Sequence, residues 1–453
     1  MVSSVRAADP PTPIERLLSP FQRFAETEAS GGLVLLACTA LALIWANAPF
    51  APSYFALRDA RVALGGAPLG LAMPLHHWIN DGLMAAFFFL VGLEVKREFL
   101  FGELASPRRA ALPVAAALGG MVVPALVFTA LSGGGELMRG WGIPMATDIA
   151  FALGVLALFG PRVPVQLKVF LAALAIADDI GAVVVIALFY SAGVSWTALG
   201  LAGVVYGVVL LANRGGLRRP GAYALLGIPL WLALLASGIH ASIAGVLMAA
   251  AIPARPRLDV RDFVRRGRVA LSTLEALAVE RVGGVPAPEE LEAIRQIEAG
   301  ATLAQTPLQR IEHALHPWVA FVVVPLFALA NAGVRLTDVP PGALPVTVAV
   351  VAGLVAGKPV GIMLASWIAA RFGAVLPAGV TWRALLGVAA LGGIGFTMSI
   401  FIANLAFDDP LLRSAKIGIL VGSALSALLG WLLLGRALRD GPGLVEAELE
   451  ERI

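Results

Sequence analysis

Four ionisable side chains, Asp148, Asp178, Asp179 and Lys358, lie inside long apolar runs, where a charge is expensive. Residues 171–190, LAALAIADDIGAVVVIALFY, carry two of them side by side. A charge at mid-bilayer costs at least about 2.5–3.5 kcal/mol on insertion scales, so its retention points to function. Asp178 is about 12 residues, or roughly 18 Å, from either end of its run, too far for a short carboxylate to reach the interface. Adjacent helical positions point about 100° apart, so one small partner cannot serve both carboxylates. The geometry asks for two jobs. Lys358, in VAGLVAGKPVGIML, is the candidate partner for one of the pair, because a buried ammonium without an anion is costly.

Asp148 suggests the second job. In GWGIPMATDIAFALG, Gly142 and Pro144 interrupt helical hydrogen bonding inside a span and free backbone groups for other use. A second interruption is predicted in LGGIGFTMSIF, residues 391–401, with three glycines before Thr397 and Ser399. Carboxylate, hydroxyl and freed carbonyl oxygens are hard ligands for hard cations. Asp148 and Asp179 facing one cavity would hold a monovalent cation and repel each other without it. Either a cation or protons relieve that repulsion, and the competition is enough for exchange. Two plainer readings stand beside this one. Thr147 and Asp148 could cap a half-helix, and Asp178 or Asp179 could form a structural ion pair with Lys358. One lysine cannot neutralise three aspartates, however, which argues against a purely structural account of the set.

The elements that must position these residues are membrane spans. The chain of 453 residues is 59% hydrophobic and only 14% charged, where a soluble protein carries roughly 25% charged. Its mean hydropathy of +0.86 fits an all-α polytopic membrane protein. At about 20 apolar residues per crossing, twelve segments are predicted, near 30–48, 75–100, 110–131, 141–160, 165–190, 197–213, 220–237, 238–252, 317–334, 343–370, 383–407 and 412–436. The two at 220–237 and 238–252 abut and are short enough to be one interrupted hairpin. An even count puts both termini on one side, and the Lys and Arg bias, led by RGGLRR and RRGR, makes that side cytoplasmic. The same bias explains the net charge of +3, and nothing points to nucleic acid.

Residues 1–29 form a cytoplasmic N-terminus without the basic and apolar regions of a cleaved signal, and 437–453 form a cytoplasmic tail. The single cysteine, Cys38, excludes an internal disulfide. Residues 49–74 form an outer loop with the pattern of a small β-hairpin, and 253–316 a long cytoplasmic loop containing an amphipathic helix. His76 and His77 sit at the outer end of the second span as interfacial anchors.

The motifs MATDIAFALG, AIADDIGAVVVIALFY, GKPVGI, HHWINDGLMAAFFFLVGLEVKREF, SGIHASIAGV, EHALHPWVAFVVVPLFALANAG and GFTMSIFIA resemble the NhaA-type sodium/proton antiporters of bacterial inner membranes. The likeness runs from about residue 15 to 436. It implies a domain over 30–436 of about twelve helices, with inverted-topology repeats near 110–190 and 343–436. Two discontinuous helices would cross at mid-membrane, a feature this family itself exemplifies. It further implies that Asp148 and Asp179 hold sodium or lithium with Thr147 nearby, and that Asp178 pairs with Lys358. Asp178, Lys358 and Asp179 would serve proton coupling. Sodium would leave the cytoplasm against a larger number of entering protons, electrogenically, by alternating access and with no cofactor. Glu94, Arg97 and Glu98 in GLEVKRE, Glu312 in RIEHALHPW and His240 in SGIHASIAG match positions of pH regulation. The 49–74 hairpin matches a homodimer contact. The 253–316 loop is longer than the family's usual connection.

Two other functions fit part of the pattern. A sodium-coupled organic solute transporter would add polar or aromatic residues to the span interiors, which hold few. An intramembrane aspartyl enzyme also needs two aspartates from different helices, but its GxGD pattern is absent and Lys358 would have no role.

Overall fold

The structure, a computed structural model, describes residues 30–64, 71–191, 193–279, 287–336 and 341–439. Residues 1–29, 65–70 within the predicted outer hairpin, and those from 440 lie outside the described residues. Among those described, nine helices are long and apolar enough to cross a membrane. Two bent pairs, Gly135–Met145 with Ile149–Ala157 and Trp382–Gly392 with Phe396–Ala406, bring the count to eleven. Pairing of Arg61–Leu64 with Leu71–Pro74, in antiparallel register from Arg61↔Pro74 to Leu64↔Leu71, gives one small two-stranded sheet. This is the all-α polytopic class with a minor β-hairpin.

The difference from twelve lies at 238–252. Helix Pro220–Ser237 ends on Gly238, whose φ of +80° is the left-handed cap that glycine adopts without strain. After the polar break through Ser242, Ile243–Ala251 contributes nine residues, about 13 Å, less than half of a bilayer crossing. It is a half-span. A Cβ on Gly245 would meet the backbone of Ala85, so this short helix packs directly against the backbone of Met84–Phe101.

A second difference concerns the start of the ninth apolar run. Thr306 caps a helix that begins at Pro307, its hydroxyl accepting from Gln309 N at 3.1 Å while Gln309 Oε1 accepts from Thr306 N at 3.5 Å. The span is therefore Pro307–Asn331, and Glu312 sits in its first turns rather than in a loop. Residues 253–306 instead hold two helices, Val260–Val279 and Pro288–Ala304.

The chain divides into two compact units. The larger is drawn from Met1–Asn80, Glu103–Tyr190 and Ala320–Ile453, and the smaller from Asp81–Gly102 and Ser191–Val319. Within the larger unit, Leu344–Arg371 crosses Pro107–Leu131 at very close range. A Cβ on Gly119 would strike the carbonyl of Gly361, and one on Gly361 the carbonyl of Gly119. Small residues of this kind let helix backbones meet where lipid supplies no hydrophobic drive. Just before Lys358, Gly353–Gly357 widens into a π-turn, which suits Pro359, because proline lacks the N–H for a regular helical bond. Crossing and π-turn together fix where the lysine enters the core. Gly361→Leu should cost about 3 kcal/mol by overpacking, whereas Gly200→Leu, with nothing within 4 Å of its Cβ position, should cost nothing. Thermal unfolding of the two variants in one detergent checks the contrast, and equal midpoints would remove the crossing from the account.

Candidate ion-binding site

Each bent pair breaks where the sequence withdraws helical bonding. The first runs as a tight 3₁₀ helix through Pro144, continues extended through Ala146 and Asp148, and resumes as an α-helix at Ile149, the halves bent by 44°. The second stops at Gly392, passes Gly393, Ile394 and Gly395, and resumes at Phe396 with a bend of 43°. A break inside an apolar layer leaves backbone groups that water cannot satisfy. Here the two breaks satisfy each other. Asp148 N donates to Ile394 O at 2.7 Å, the Thr147 hydroxyl reaches Gly392 O at 2.9 Å, and the Ser399 hydroxyl donates to Ile143 O at 2.7 Å.

Asp148 fastens the same crossing through its side chain. Its Oδ1 accepts from Phe151 N at 3.1 Å, capping its own half-helix. Its Oδ2 accepts from Thr397 N at 3.0 Å and from the Thr397 hydroxyl at 2.5 Å, at the start of the opposite half-helix. Two positive helix ends thus converge on one carboxylate. Asp148, but not Thr147, thus caps the half-helix, and the cap leaves Oδ1 with acceptor capacity for a cation.

Asp178 and Asp179 come from the middle of the unbroken helix Val165–Phe189 and are 1% and 2% exposed; Asp148 is 3% and Lys358 0%. Lys358 Nζ lies 2.7 Å from Asp178 Oδ2 and also donates to the carbonyl of Met145, freed at the first break. The Thr147 hydroxyl donates to the same Asp178 oxygen at 2.6 Å. Asp178 Oδ1 accepts no hydrogen bond among the described residues. Asp179, one position on, lies within electrostatic reach of Lys358. The structure therefore places Thr147 in the Asp178–Lys358 cluster. Its single hydroxyl proton faces two acceptors, Asp178 Oδ2 and Gly392 O, and can satisfy only one of them fully.

In the smaller unit, Arg97 pairs with Glu312 through Nη1 and with Glu98 through Nη2 at 3.4 Å. Glu94 lies one turn before Glu98 and within electrostatic reach of all three. Arg97 and Glu312 line a cavity of about 1150 Å³ together with His313 and His316. His240 is not part of this cluster. It follows Ser237, whereas the cavity is lined at Pro220, the other end of a helix about 27 Å long.

Three asparagines escaped the sequence analysis. The Asn331 amide donates to Asn80 Oδ1 at 2.7 Å and to Phe327 O at 3.0 Å, and Asn404 donates to Asn331 Oδ1 at 2.8 Å. These side chains line a cavity of about 490 Å³ in the larger unit, together with the buried Lys416. The clue was an asparagine within the apolar FALANAG, and Lys416 was hidden by its nearness to the start of its run.

Interrupted helices bonded to each other around buried carboxylates define a polytopic secondary transporter, its candidate site built at the helix breaks. Residues 22–434 match the family described as Na+/H+ antiporter 1, and the chain belongs to that family. It is 51% identical to a protein of Oleidesulfovibrio alaskensis named Na(+)/H(+) antiporter NhaA, over 95% of this chain and 96% of that one. It is 50% identical to Na(+)/H(+) antiporter NhaA 2 of Syntrophotalea carbinolica, over 94% and 98% of the two chains. The corresponding protein of Syntrophobacter fumaroxidans is 51% identical over 93% and 91%. Membership places the chain among transporters rather than enzymes.

Proposed function

We propose that the chain expels sodium or lithium from the cytoplasm in exchange for protons, using Asp148 and Asp179 to hold the ion. It works in the bacterial inner membrane with both termini cytoplasmic. The observation that carries this reading is the burial of three carboxylates and one ammonium beside two bonded helix breaks. Asp148 is held rigidly by Phe151 N and by Thr397, so it offers an oriented oxygen rather than a mobile one. Asp179 supplies the second negative charge. A cation entering between them trades water for protein oxygens, and a proton on Asp179 removes the charge that retains it.

Asp178 and Lys358 form the second proton-sensitive unit. Neutralising either partner dissolves their ion pair and frees Met145 O and the Thr147 hydroxyl to rearrange. Two protons against one monovalent ion move net charge, so the membrane potential drives the cycle along with ΔpH. The Arg97–Glu312–Glu98 cluster with Glu94, and His240 separately, set the pH at which the cycle starts. The Arg61–Leu64 and Leu71–Pro74 hairpin joins two copies of the chain, since a short exposed ribbon offers an edge for pairing.

Inverted vesicles with a respiratory ΔpH test the whole reading. Sodium should collapse the gradient and potassium should leave it standing. A gradient indifferent to sodium and lithium at every pH from mildly acidic to alkaline would remove the exchange function.

A further inference from the structure

Between Arg255 and Arg268 the chain carries six arginines, Arg255, Arg257, Arg261, Arg265, Arg266 and Arg268, against two aspartates, Asp259 and Asp262. Four of the arginines lie on helix Val260–Val279, which has two apolar strips. One strip, with Phe263 and the buried Ala270, turns towards Pro288–Ala304, where a Cβ on Gly300 would press on Phe263. The other, formed by Val260, Val264 and Leu271, is 64%, 49% and 54% exposed. Val260, Val264 and Leu271 follow the i, i+4 and i+11 spacing of one helix face, and Arg261, Arg265 and Arg268, at i, i+4 and i+7 from the next residue, lie on the adjoining face, so an exposed row of guanidinium groups borders the exposed apolar row. Val269 lies on the opposite side of the helix and takes no part.

The ends of this helix pair hold it close to the spans. Eight residues, Ile252–Asp259, separate it from the short membrane helix Ile243–Ala251, and two, Gln305 and Thr306, separate Pro288–Ala304 from the span Pro307–Asn331. The root is tied down further. Arg257 Nη2 donates to Gly216 O at 2.8 Å, Arg218 Nη1 to Arg255 O at 2.6 Å, and Leu258 N to Leu303 O at 3.1 Å. With such short tethers, the surface within reach of the exposed face is the headgroup layer of the membrane in which the chain is embedded.

We infer that Val260–Val279 is a membrane-surface helix that binds anionic lipid headgroups, with Val260, Val264 and Leu271 entering the interface and Arg261, Arg265 and Arg268 engaging phosphate. An apolar strip bordered by arginine is the composition that partitions to an anionic interface. A guanidinium group pairs with a phosphate through two parallel hydrogen bonds. Two residues separate Pro288–Ala304 from the helix carrying Glu312, so lipid binding also fixes the approach to the Arg97–Glu312 pair.

Hydrogen exchange on the full-length protein in nanodiscs tests this inference. Compared with discs of phosphatidylcholine alone, discs containing one part phosphatidylglycerol to three parts phosphatidylcholine should slow exchange over residues 260–272 by about tenfold or more. The triple variant Arg261→Gln, Arg265→Gln, Arg268→Gln should lose that difference, and raised salt should shrink it. Unchanged exchange over residues 396–406 verifies that the variant is folded. Equal exchange in the two lipids, a lipid effect that survives in the folded triple variant, or protection that appears in detergent and rises with protein concentration, as a second copy would give, each overturns the inference.

Discussion

Asp179→Asn is expected to abolish sodium-dependent collapse of ΔpH and, in the same protein, specific binding of sodium. At an effective dielectric of about 20, opposite unit charges about 4 Å apart attract by roughly 4 kcal/mol. Losing one such charge lowers ion affinity by about three orders of magnitude. The substitution changes little in volume, so folding should survive, and thermal unfolding separates loss of the site from loss of the protein. Asp178→Asn provides the contrast. It removes the anion facing Lys358 and Thr147 while leaving Asp148 and Asp179 in place, so sodium binding should persist while coupling to protons fails. Sodium binding retained by Asp179→Asn and lost by Asp178→Asn would mean that the two adjacent aspartates had been assigned in reverse.

Lys358→Met should destabilise the protein by about 3–5 kcal/mol, the usual cost of leaving a buried charge without its partner. Both side chains of the Lys358–Asp178 pair are fully buried, so neither can turn to water for compensation. Coupling Lys358→Met to Asp178→Asn should recover much of that loss, since a buried pair replaced as a unit no longer leaves one bare charge. A double-mutant cycle on unfolding temperature in detergent reads the coupling. If the two substitutions simply add, the ion pair at 2.7 Å does not hold the structure together. The double variant should remain inactive in transport, which distinguishes a pair kept for stability from one kept for proton coupling.

The spans and the four charged residues were legible because a bilayer penalises charge so heavily that Asp148, Asp178, Asp179 and Lys358 stand out in composition alone. The breaks were legible too, since Gly142 and Pro144 on one side and Gly392, Gly393 and Gly395 on the other withdraw helical bonding within apolar runs. Contacts were harder. Nothing in the spacing of Thr147 shows that its hydroxyl turns to Asp178 and Gly392, because that direction is set by a chain 245 residues away in sequence. The abutting segments at 220–237 and 238–252 were legible as two short runs, but how much of the second is helix was not, because hydropathy counts residues and ignores where Gly238 ends a helix. Glu312 read as part of an amphipathic helix in the cytoplasmic loop, and its continuity with the span was not legible because the polar QRIEHALH precedes the apolar run. The asparagine cluster was missed for the opposite reason. Single amides in apolar runs carry little signal until three of them meet.

The crosswise bonding of the two breaks also bears on how such a protein can drift. Ile394 and Gly392 contribute through their carbonyl oxygens, which every residue type carries, so these bonds place no direct demand on side-chain identity. Thr397 contributes through its hydroxyl as well as its backbone and meets Asp148 with both. Serine at 397 would keep both bonds to Asp148 Oδ2, whereas valine would keep only the one from the backbone N–H. Position 394 is free to exchange one apolar residue for another. Two halves of the chain far apart in sequence are thus fastened together at a single carboxylate.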